Sequence, residues 1–330
     1  MKKCKKCGLN ETYTKITFDE KGICNYCNFY EKHKSELHDE AALELKFQEK
    51  VERAKEKAKE NKAKYDCLVG FSGGKDSTYI IYQLAKKYQM RVLAFTFDNG
   101  FSTQYGKDNI ANALSKLNVD HITFSMNDEI LRKQYSMCTK MMKNFCSVCF
   151  HNMHYYSYLF AHQNKIPMIV NGRTIGQILQ TADSTDRIEP FETSKNLKDF
   201  EHQMFGGLEE KAEKSGKTEY LKEINDIEAV SYFAYHKVSE EETMRFLEEN
   251  IGWQRPKGVS GHADCFAHAM AEYMSIQKHG HPVRTGELAV LVRMGEMSIE
   301  EAEEILEKDR KNFQELSLEE KERFYQRIGV

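Results

Sequence analysis

Short apolar runs alternate with amphipathic stretches through the middle of the chain, from about residue 65 to residue 190. The apolar runs have the length of buried strands, and the stretches between them repeat apolar residues at helical spacing. Because strand–helix–strand connections cross over in one sense, the pattern predicts an α/β fold with a parallel sheet between helical layers. The predicted strands are residues 66–71, 91–97, 121–125 and 168–170, and the predicted helices between them are residues 77–88, 105–117, 131–144 and 150–163.

The pattern changes on both sides of this α/β segment, residues 65–190. Residues 1–30 are punctuated by cysteine pairs, and residues 31–64 are rich in Lys, Glu and Ala with weak apolar periodicity. The second stretch therefore predicts an exposed helical connector. Residues 191–225 lose apolar density and predict a flexible insertion. Residues 226–330 are predicted to form a helical C-terminal part that completes the active site.

Composition and charge argue against several classes of protein. The chain of 330 residues carries 48 Lys and Arg against 51 Asp and Glu, a net charge of -3, which argues against a strongly cationic nucleic-acid binder. No apolar run approaches the roughly 18 residues of a membrane-spanning helix, so no membrane association is expected. Nine cysteines without an apolar leader favour metal ligands in a cytoplasmic protein over disulfides.

A polar, glycine-containing loop, SGGKDS, runs from Ser72 to Ser77, after the first predicted strand and before a helix. Gly73 and Gly74 let the backbone turn with its N–H groups inward. The helix N-terminus adds partial positive charge, and Lys75 and the serine hydroxyls add donors, so the loop suits a pyrophosphate or polyphosphate. The Walker spacing is absent, which indicates a nucleotide loop of a different kind.

Every fixed position of this loop matches SGGxDS, the hallmark of the PP-loop ATP pyrophosphatase superfamily, which the chain resembles. The resemblance implies an adenine nucleotide alpha hydrolase-like fold, cleavage of ATP between the α and β phosphates, and transfer of AMP to a substrate oxygen. It also implies Mg2+ nearby. The residues implied to bind the nucleotide's pyrophosphate side are Ser72, Gly73, Gly74, Asp76 and Ser77. Lys75, as a further donor of the loop, is also predicted to bind the nucleotide, and Lys75 and Asp76 are the loop's catalytic candidates.

Two positions at predicted strand ends are further candidates for the nucleotide site. Asp98 ends the second predicted strand and can accept hydrogen bonds from adenine or ribose donors, and Gly172 follows the fourth predicted strand and permits close backbone approach. Ligands of open parallel sheets bind outside the carboxyl ends of the strands. Both residues are therefore predicted to contact the nucleotide.

Four cysteines near the start of the chain form two C-x-x-C pairs with the spacing of a zinc ribbon. Two tight turns of this kind present four thiolates tetrahedrally. Four thiolates leave no open position for a substrate, so the predicted Zn2+ is structural and stabilises a module too short to have its own core. The predicted ligands are Cys4, Cys7, Cys24 and Cys27.

A third C-x-x-C pair and a distant cysteine form a second set of candidates: Cys146, Cys149 and Cys265. Three thiolates can hold a [4Fe–4S] cluster and leave one iron open to bind an exogenous sulfide. Alternatively, one thiolate takes up a persulfide and its partner resolves it by disulfide formation. A second structural zinc and inert buried thiols are two further interpretations that the sequence leaves open.

The resemblance narrows to two branches of the superfamily. The double C-x-x-C, the charged helix and SGGKDS resemble the N-acetyl sugar amidotransferases, whose closing R-x-G-x-(S/T)-x-E-E-A segment is similar to residues 293–302. The C-x-x-C after the third strand, followed by the lone Cys265, resembles the iron–sulfur-dependent tRNA thiolation enzymes of the two-thiouridine type. The chain departs from both, because it has neither the Lys-His-x-Glu-Ser element of the former nor the second zinc ribbon of the latter.

The predicted reaction is ATP-dependent adenylation of a substrate oxygen, followed by sulfur transfer that gives a thiocarbonyl. Two alternatives are amidotransfer to an N-acetyl sugar, with ammonia from a partner glutaminase, and a non-catalytic nucleotide-binding adaptor. The expected cofactors are ATP, Mg2+ and Zn2+, with a [4Fe–4S] cluster as one option. The expected partners are a small-molecule or tRNA acceptor and either a sulfur donor or a glutaminase, and a homodimer is left open.

Overall fold

A five-stranded parallel sheet forms the centre of the molecule, a computed structural model that describes residues 2–140, 145–179, 227–255 and 264–330. The predicted insertion, residues 191–225, lies outside the described residues. The predicted α/β class with a parallel sheet is confirmed. The strands are β1 (Cys67–Gly70), β2 (Val92–Phe97), β3 (Asp120–Phe124), β4 (Met168–Asn171) and β5 (Glu228–Ser231).

The strand order β3-β2-β1-β4-β5 places the first strand in the middle of the sheet. The chain builds outward from β1 through β2 to β3 and then returns to the other side of β1 for β4 and β5. Val69 accordingly pairs with Ala94 of β2 on one side and with Val170 of β4 on the other. Such a reversal opens a crevice at the carboxyl ends of the two diverging strands, here β1 and β4.

The strands carry apolar side chains on both faces. Cys67 and Val69 point into one layer of the core and Leu68 into the other, and all three are fully buried. A parallel strand covered on both faces reads as a continuous apolar run, which is why the sequence pattern was strong here. Cys67 is therefore a core residue.

Helices cover both faces of this sheet. In the described ranges the helices are α1 (Asn25–Leu37), α2 (Glu40–Glu60), α3 (Lys75–Tyr82, continued by a π-helical turn, Gln83–Lys87), α4 (Gln104–Leu117), α5 (Asp128–Lys140), α6 (Cys146–Gln163), α7 (Ile175–Leu179), α8 (Tyr232–Tyr235), α9 (Glu240–Ile251), α10 (His268–His279), α11 (Thr285–Met294), α12 (Ile299–Phe313) and α13 (Leu318–Ile328). One face is covered by α2, α3, α4, α8 and α9, and the other by α5, α6, α10 and α13. None of these helices is both long and apolar enough to cross a membrane.

One expectation for the segments that flank the α/β region is corrected. The helical part of residues 31–64 is not an exposed connector, because Phe47 and Val51 of α2 are buried in the core. The predicted helical C-terminal part is confirmed, and it also contains β5, which extends the sheet through parallel pairing with β4. The weak apolar periodicity of α2 understated its burial because Lys and Glu occupy its remaining positions.

Candidate functional site

The phosphate loop lies at the carboxyl end of β1, in the crevice beside β4. Gly73 has a φ of 79°, a left-handed conformation that favours glycine. A Cβ atom on Gly73 would lie 2.2 Å from the carbonyl oxygen of Gly106 in α4. The indole Nε1 of Trp253 donates a hydrogen bond to the Gly73 carbonyl oxygen at 3.0 Å, and this bond is buried. The loop is therefore held by two elements that are distant from it in sequence.

Hydroxyl groups stabilise the turn from within. The Gly74 N–H donates to Ser72 Oγ at 3.2 Å, the Ser72 N–H donates to Ser77 Oγ at 3.3 Å, and Ser77 Oγ donates to the Gly74 carbonyl oxygen at 3.2 Å. Helix α3 begins at the next residue, and its N-cap, Gly74, has no side chain to cap the first N–H groups. Those N–H groups and the positive end of the helix dipole suit a phosphate oxygen.

The two catalytic candidates of the loop pair with each other. Lys75 Nζ lies 3.0 Å from Asp76 Oδ2 and 3.4 Å from Glu240 Oε1 of α9. Burial lowers the pKa of Lys75, but the charges of Asp76 and Glu240 raise it by more, so the amine stays protonated. The structure thus places a protonated amine, paired with two carboxylates, in the first turn of α3.

The two strand-end candidates make contacts of their own. A Cβ atom on Gly172 would lie 3.2 Å from Ile80 Cδ1 and 3.5 Å from Asp76 Cβ, so the close approach that this glycine permits is to α3. Asp98 accepts hydrogen bonds from the Gly100 N–H and from Ser125 Oγ, each at 3.0 Å, and so braces the loop after β2. Contacts of Asp98 and Gly172 with a nucleotide stay predictions.

The structure brings Cys146, Cys149 and Cys265 to one region beside this edge of the sheet. Cys146 and Cys149 lie in the first turn of α6, and not between helices as the sequence pattern indicated. Cys265 pairs with Ser102 in an isolated antiparallel bridge, which attaches it to the segment that follows β2. Asn99, in the same segment, donates a hydrogen bond from Nδ2 to Cys149 Sγ at 3.4 Å.

The environment of these thiols favours their neutral forms in the absence of a bound metal. Burial raises the pKa of Cys265 to about 12, with the nearby charges of Asp264 and Cys149 acting in the same direction. Burial also raises the pKa of Cys149, although hydrogen bonds from Asn99 and Tyr135 act against the rise. Cys146 is exposed at the surface, whereas the other two thiols are half-buried.

The arrangement of the three thiols bears on the metal that they could hold. Within the described ranges, a group of three or more metal-binding side chains with all ligand atoms within 4.8 Å is formed by the N-terminal cysteines alone. A single zinc ion needs its sulfur ligands at about 2.3 Å and therefore close together. A [4Fe–4S] cluster binds each thiolate to a different iron and accepts a wider spacing. The three thiols are a donor set of the kind that a [4Fe–4S] cluster uses, and the choice between a cluster and a second zinc stays a prediction.

The N-terminal cysteines do form a compact, buried ligand set. The Sγ atoms of Cys4 and Cys27 are 3.7 Å apart, as are those of Cys7 and Cys24, and all four atoms lie within 4.8 Å of one another. Four thiolates placed tetrahedrally about a zinc ion at about 2.3 Å would be separated by about 3.8 Å. The residues present therefore fit a tetrahedral ion such as Zn2+, with Cys24 and Cys27 at the start of α1.

A buried arginine from the C-terminal part contacts this ligand set. Arg293 of α11 donates from Nε to Cys27 Sγ at 3.4 Å and from Nη2 to Cys7 Sγ at 3.3 Å. Two backbone N–H groups, those of Lys6 and Cys24, donate to Cys4 Sγ. These donors offset the negative charge that four thiolates carry, and the arginine was missed as a site residue because its sequence motif gives no chemical signal.

Comparisons with known proteins give distant similarities. No family model matches the chain. An uncharacterized protein of Methanocaldococcus jannaschii is 22% identical over 312 residues, which span 93% of each chain. The solved structure of a U34-tRNA thiolase from Methanococcus maripaludis, with its [4Fe–4S] cluster, is similar with a TM-score of 0.40 and 16% identity, over 97% of this chain and 90% of that one. An NH3-dependent NAD synthetase from Campylobacter jejuni is similar with a TM-score of 0.33 and 11% identity, over 67% of this chain and 100% of that one.

Proposed function

We propose that the chain is a PP-loop ATP pyrophosphatase-type enzyme that adenylates a substrate oxygen and then directs sulfur to the activated carbon. The observation that carries this proposal is the arrangement of the carboxyl edge of the sheet. The SGGKDS loop opens α3 at the reversal between β1 and β4, and the segment that follows β2 joins Cys149 and Cys265 to the same edge.

The first step uses the phosphate loop. The N–H groups at the start of α3, the hydroxyls of Ser72 and Ser77 and the ammonium of Lys75 bind the β and γ phosphates of ATP. A carbonyl oxygen of the acceptor attacks the α phosphorus, the bond between that phosphorus and the α–β bridging oxygen breaks, and pyrophosphate leaves. The acceptor keeps AMP on its oxygen, and the nitrogen bonded to its carbonyl carbon loses one proton.

The second step replaces that oxygen. A hydrosulfide anion attacks the activated carbon, the carbon–oxygen bond breaks, and AMP leaves with the oxygen, so the product is a thiocarbonyl. When bound, a [4Fe–4S] cluster supplies an iron without a protein ligand, which can bind sulfide. Cys146, Cys149 and Cys265 would be its three protein ligands, and Asn99 holds Cys149 in place through the 3.4 Å hydrogen bond.

Anaerobic purification tests the sulfur step. We expect iron and acid-labile sulfide in the isolated protein, with an absorption band at about 400 nm. The variant Cys265→Ser should lose the band and the sulfide, whereas Cys67→Ala, which removes a core thiol of β1, should keep both. Colourless wild-type protein that retains only zinc would contradict sulfur transfer through a cluster.

Amidotransfer to an N-acetyl sugar is the second candidate, and one contact favours it. Arg293, the first residue of the closing motif that resembles the sugar amidotransferases, contacts the double C-x-x-C that carries the other part of that resemblance. In that reaction ammonia from a partner glutaminase takes the place of sulfide. Zinc-only protein that converts an N-acetyl sugar when ammonia and ATP are supplied would support this candidate.

Pyrophosphate release separates an enzyme from a nucleotide-binding adaptor. The wild-type chain, supplied with MgATP and candidate acceptors, should release pyrophosphate and AMP in equal amounts. Release of orthophosphate and ADP, or binding of ATP without turnover on any acceptor, would contradict the proposed adenylation.

A further inference from the structure

The residue before Cys265 is fixed against the segment that follows β2. The carbonyl oxygen of Asp264 accepts a hydrogen bond from the Thr103 N–H at 3.0 Å, and the Phe266 N–H donates to the Phe101 carbonyl oxygen at 3.0 Å. Together with the bridge between Ser102 and Cys265, these bonds hold the backbone on both sides of Cys265. The direction of the Asp264 side chain is therefore set by the fold.

That side chain lies against the phosphate loop. A Cβ atom on Gly74 would lie 3.5 Å from Asp264 Oδ2, and a Cβ atom on Gly106 would lie 3.2 Å from Asp264 Cβ. The chain has glycine at both positions, so the carboxylate reaches the N-cap of α3 without a steric conflict. Through Asp264, the Cys265 segment touches the phosphate loop.

The carboxylate of Asp264 has no hydrogen bond or ion pair to any residue in the described ranges, where only its backbone carbonyl is bonded. The N–H of Gly74 does not satisfy it, because that group donates to Ser72 Oγ. A carboxylate that faces a triphosphate without a donor would repel it, unless a cation lies between the two charges. Mg2+ binds through one or two carboxylates together with the phosphate oxygens of its substrate.

We propose that Asp264 supplies an oxygen ligand to the Mg2+ that accompanies ATP on the SGGKDS loop. This inference rests on the proposed function and adds a residue to it. Because Cys265 follows directly, the residue that binds the cation and the thiol belong to one hydrogen-bonded segment. MgATP binding and the position of Cys265 are thereby coupled through a single peptide.

The single tryptophan of the chain gives a direct readout of binding. Trp253 donates to the Gly73 carbonyl oxygen, so its fluorescence should respond when the loop is occupied. A non-cleavable ATP analogue is titrated into the wild type, Asp264→Asn and Asp108→Asn, once with Mg2+ and once with EDTA. Asp108 is an exposed carboxylate on α4 and serves as the charge-matched control.

We expect Asp264→Asn to weaken binding by at least about tenfold with Mg2+, as for loss of one metal ligand. In EDTA the variant should bind at least as tightly as the wild type, because the carboxylate that repels the triphosphate is gone. Asp108→Asn should bind as the wild type in both conditions. The EDTA titration also shows that each variant is folded. If Asp264→Asn bound the analogue with Mg2+ as tightly as the wild type, or more tightly, the role of Asp264 would be overturned and the proposed function would stand. A wild type that binds no nucleotide in either condition would overturn the proposed function and this inference with it.

Discussion

At the scale of single residues, the phosphate loop depends on contacts that are remote in sequence. Gly73 adopts its left-handed conformation directly beneath the Gly106 carbonyl oxygen, and its own carbonyl accepts the Trp253 N–H. The sequence predicts that the loop binds phosphate, because glycine, serine and a helix start are local signals. The contacts that hold the loop in this conformation come from α4 and from the residues after α9.

The variant Gly73→Ala tests the steric requirement of the loop. We expect ATP affinity to fall by about tenfold or more, because alanine in a left-handed conformation costs about 1–2 kcal/mol and its Cβ would also collide with Gly106. Isothermal titration calorimetry measures the affinity. Gly280→Ala is the matched control, since Gly280 has a φ of 75° but a Cβ there meets nothing within 4 Å. Equal affinities for the two variants would show that the collision is absent.

The variant Trp253→Phe tests the hydrogen bond to Gly73. It leaves a buried carbonyl oxygen without its donor, which costs about 1–3 kcal/mol. We expect urea denaturation, followed by circular dichroism, to show this loss in the free energy of unfolding, and ATP binding to weaken in parallel. Lower stability with unchanged ATP affinity would mean that Trp253 packs against the loop without positioning it.

At the scale of secondary-structure elements, the sequence predicts β1 to β4 within a residue or two of their observed ends, because each is a short apolar run beside an amphipathic helix. It does not predict β5, whose four residues, Glu228–Ser231, include two polar ones. β5 is a strand because β4 offers it a free edge to pair with. The start of α6 was also misplaced, since the two cysteines in its first turn do not distinguish a helix from a loop.

The free energy of unfolding should depend on pH through His121 of β3. Burial lowers the pKa of His121, and Thr96 Oγ1, which donates to the Phe71 carbonyl oxygen, lies 2.8 Å from its Nε2. The unfolded chain therefore takes up this proton at a higher pH than the folded chain does. The stability from neutral His121 is complete above the ordinary histidine pKa of about 6.5 and is lost as the pH falls below it.

Urea denaturation of the wild type and of His121→Gln at pH values on both sides of that pKa measures this contribution. We expect the free energy of unfolding of the wild type to fall more steeply between neutral and mildly acidic pH than that of the variant. Parallel pH profiles would show that His121 titrates alike in the folded and unfolded chains.

At the scale of the whole molecule, α11 contacts both the four N-terminal cysteines and the segment that follows β4. Its Arg293 contacts the thiols of Cys7 and Cys27, and its Glu287 accepts a hydrogen bond from Thr174 Oγ1, just after β4, at 3.0 Å. Ala289 of the same helix packs into the core of the four-cysteine module. The N-terminal module thus has no separate core, and α11 connects it to the edge of the sheet that carries the phosphate loop.

The variant Arg293→Met tests this connection. Methionine fills the buried position with an apolar side chain, but it removes the donors to two thiolates. We expect metal affinity of the four-cysteine site to fall by about 10–100-fold, as for other groups that support metal ligands. Metal release to a colorimetric chelator measures it. Arg310→Met, on the exposed part of α12, should release metal as the wild type does, and equal release by both variants would contradict the role of Arg293.

The sequence by itself determined the features that are local in the chain: the SGGKDS turn between a strand and a helix, the two C-x-x-C pairs that supply four thiols, and the alternation that produces a parallel sheet. These follow from the conformations and ligand chemistry of neighbouring residues. Tertiary structure alone decided that β5 completes the sheet, that Arg293 contacts the N-terminal thiols, and that Asp264 and Trp253 reach the phosphate loop. Packing of the helices on the sheet brings those groups together across long stretches of chain, and no local pattern encodes such distances.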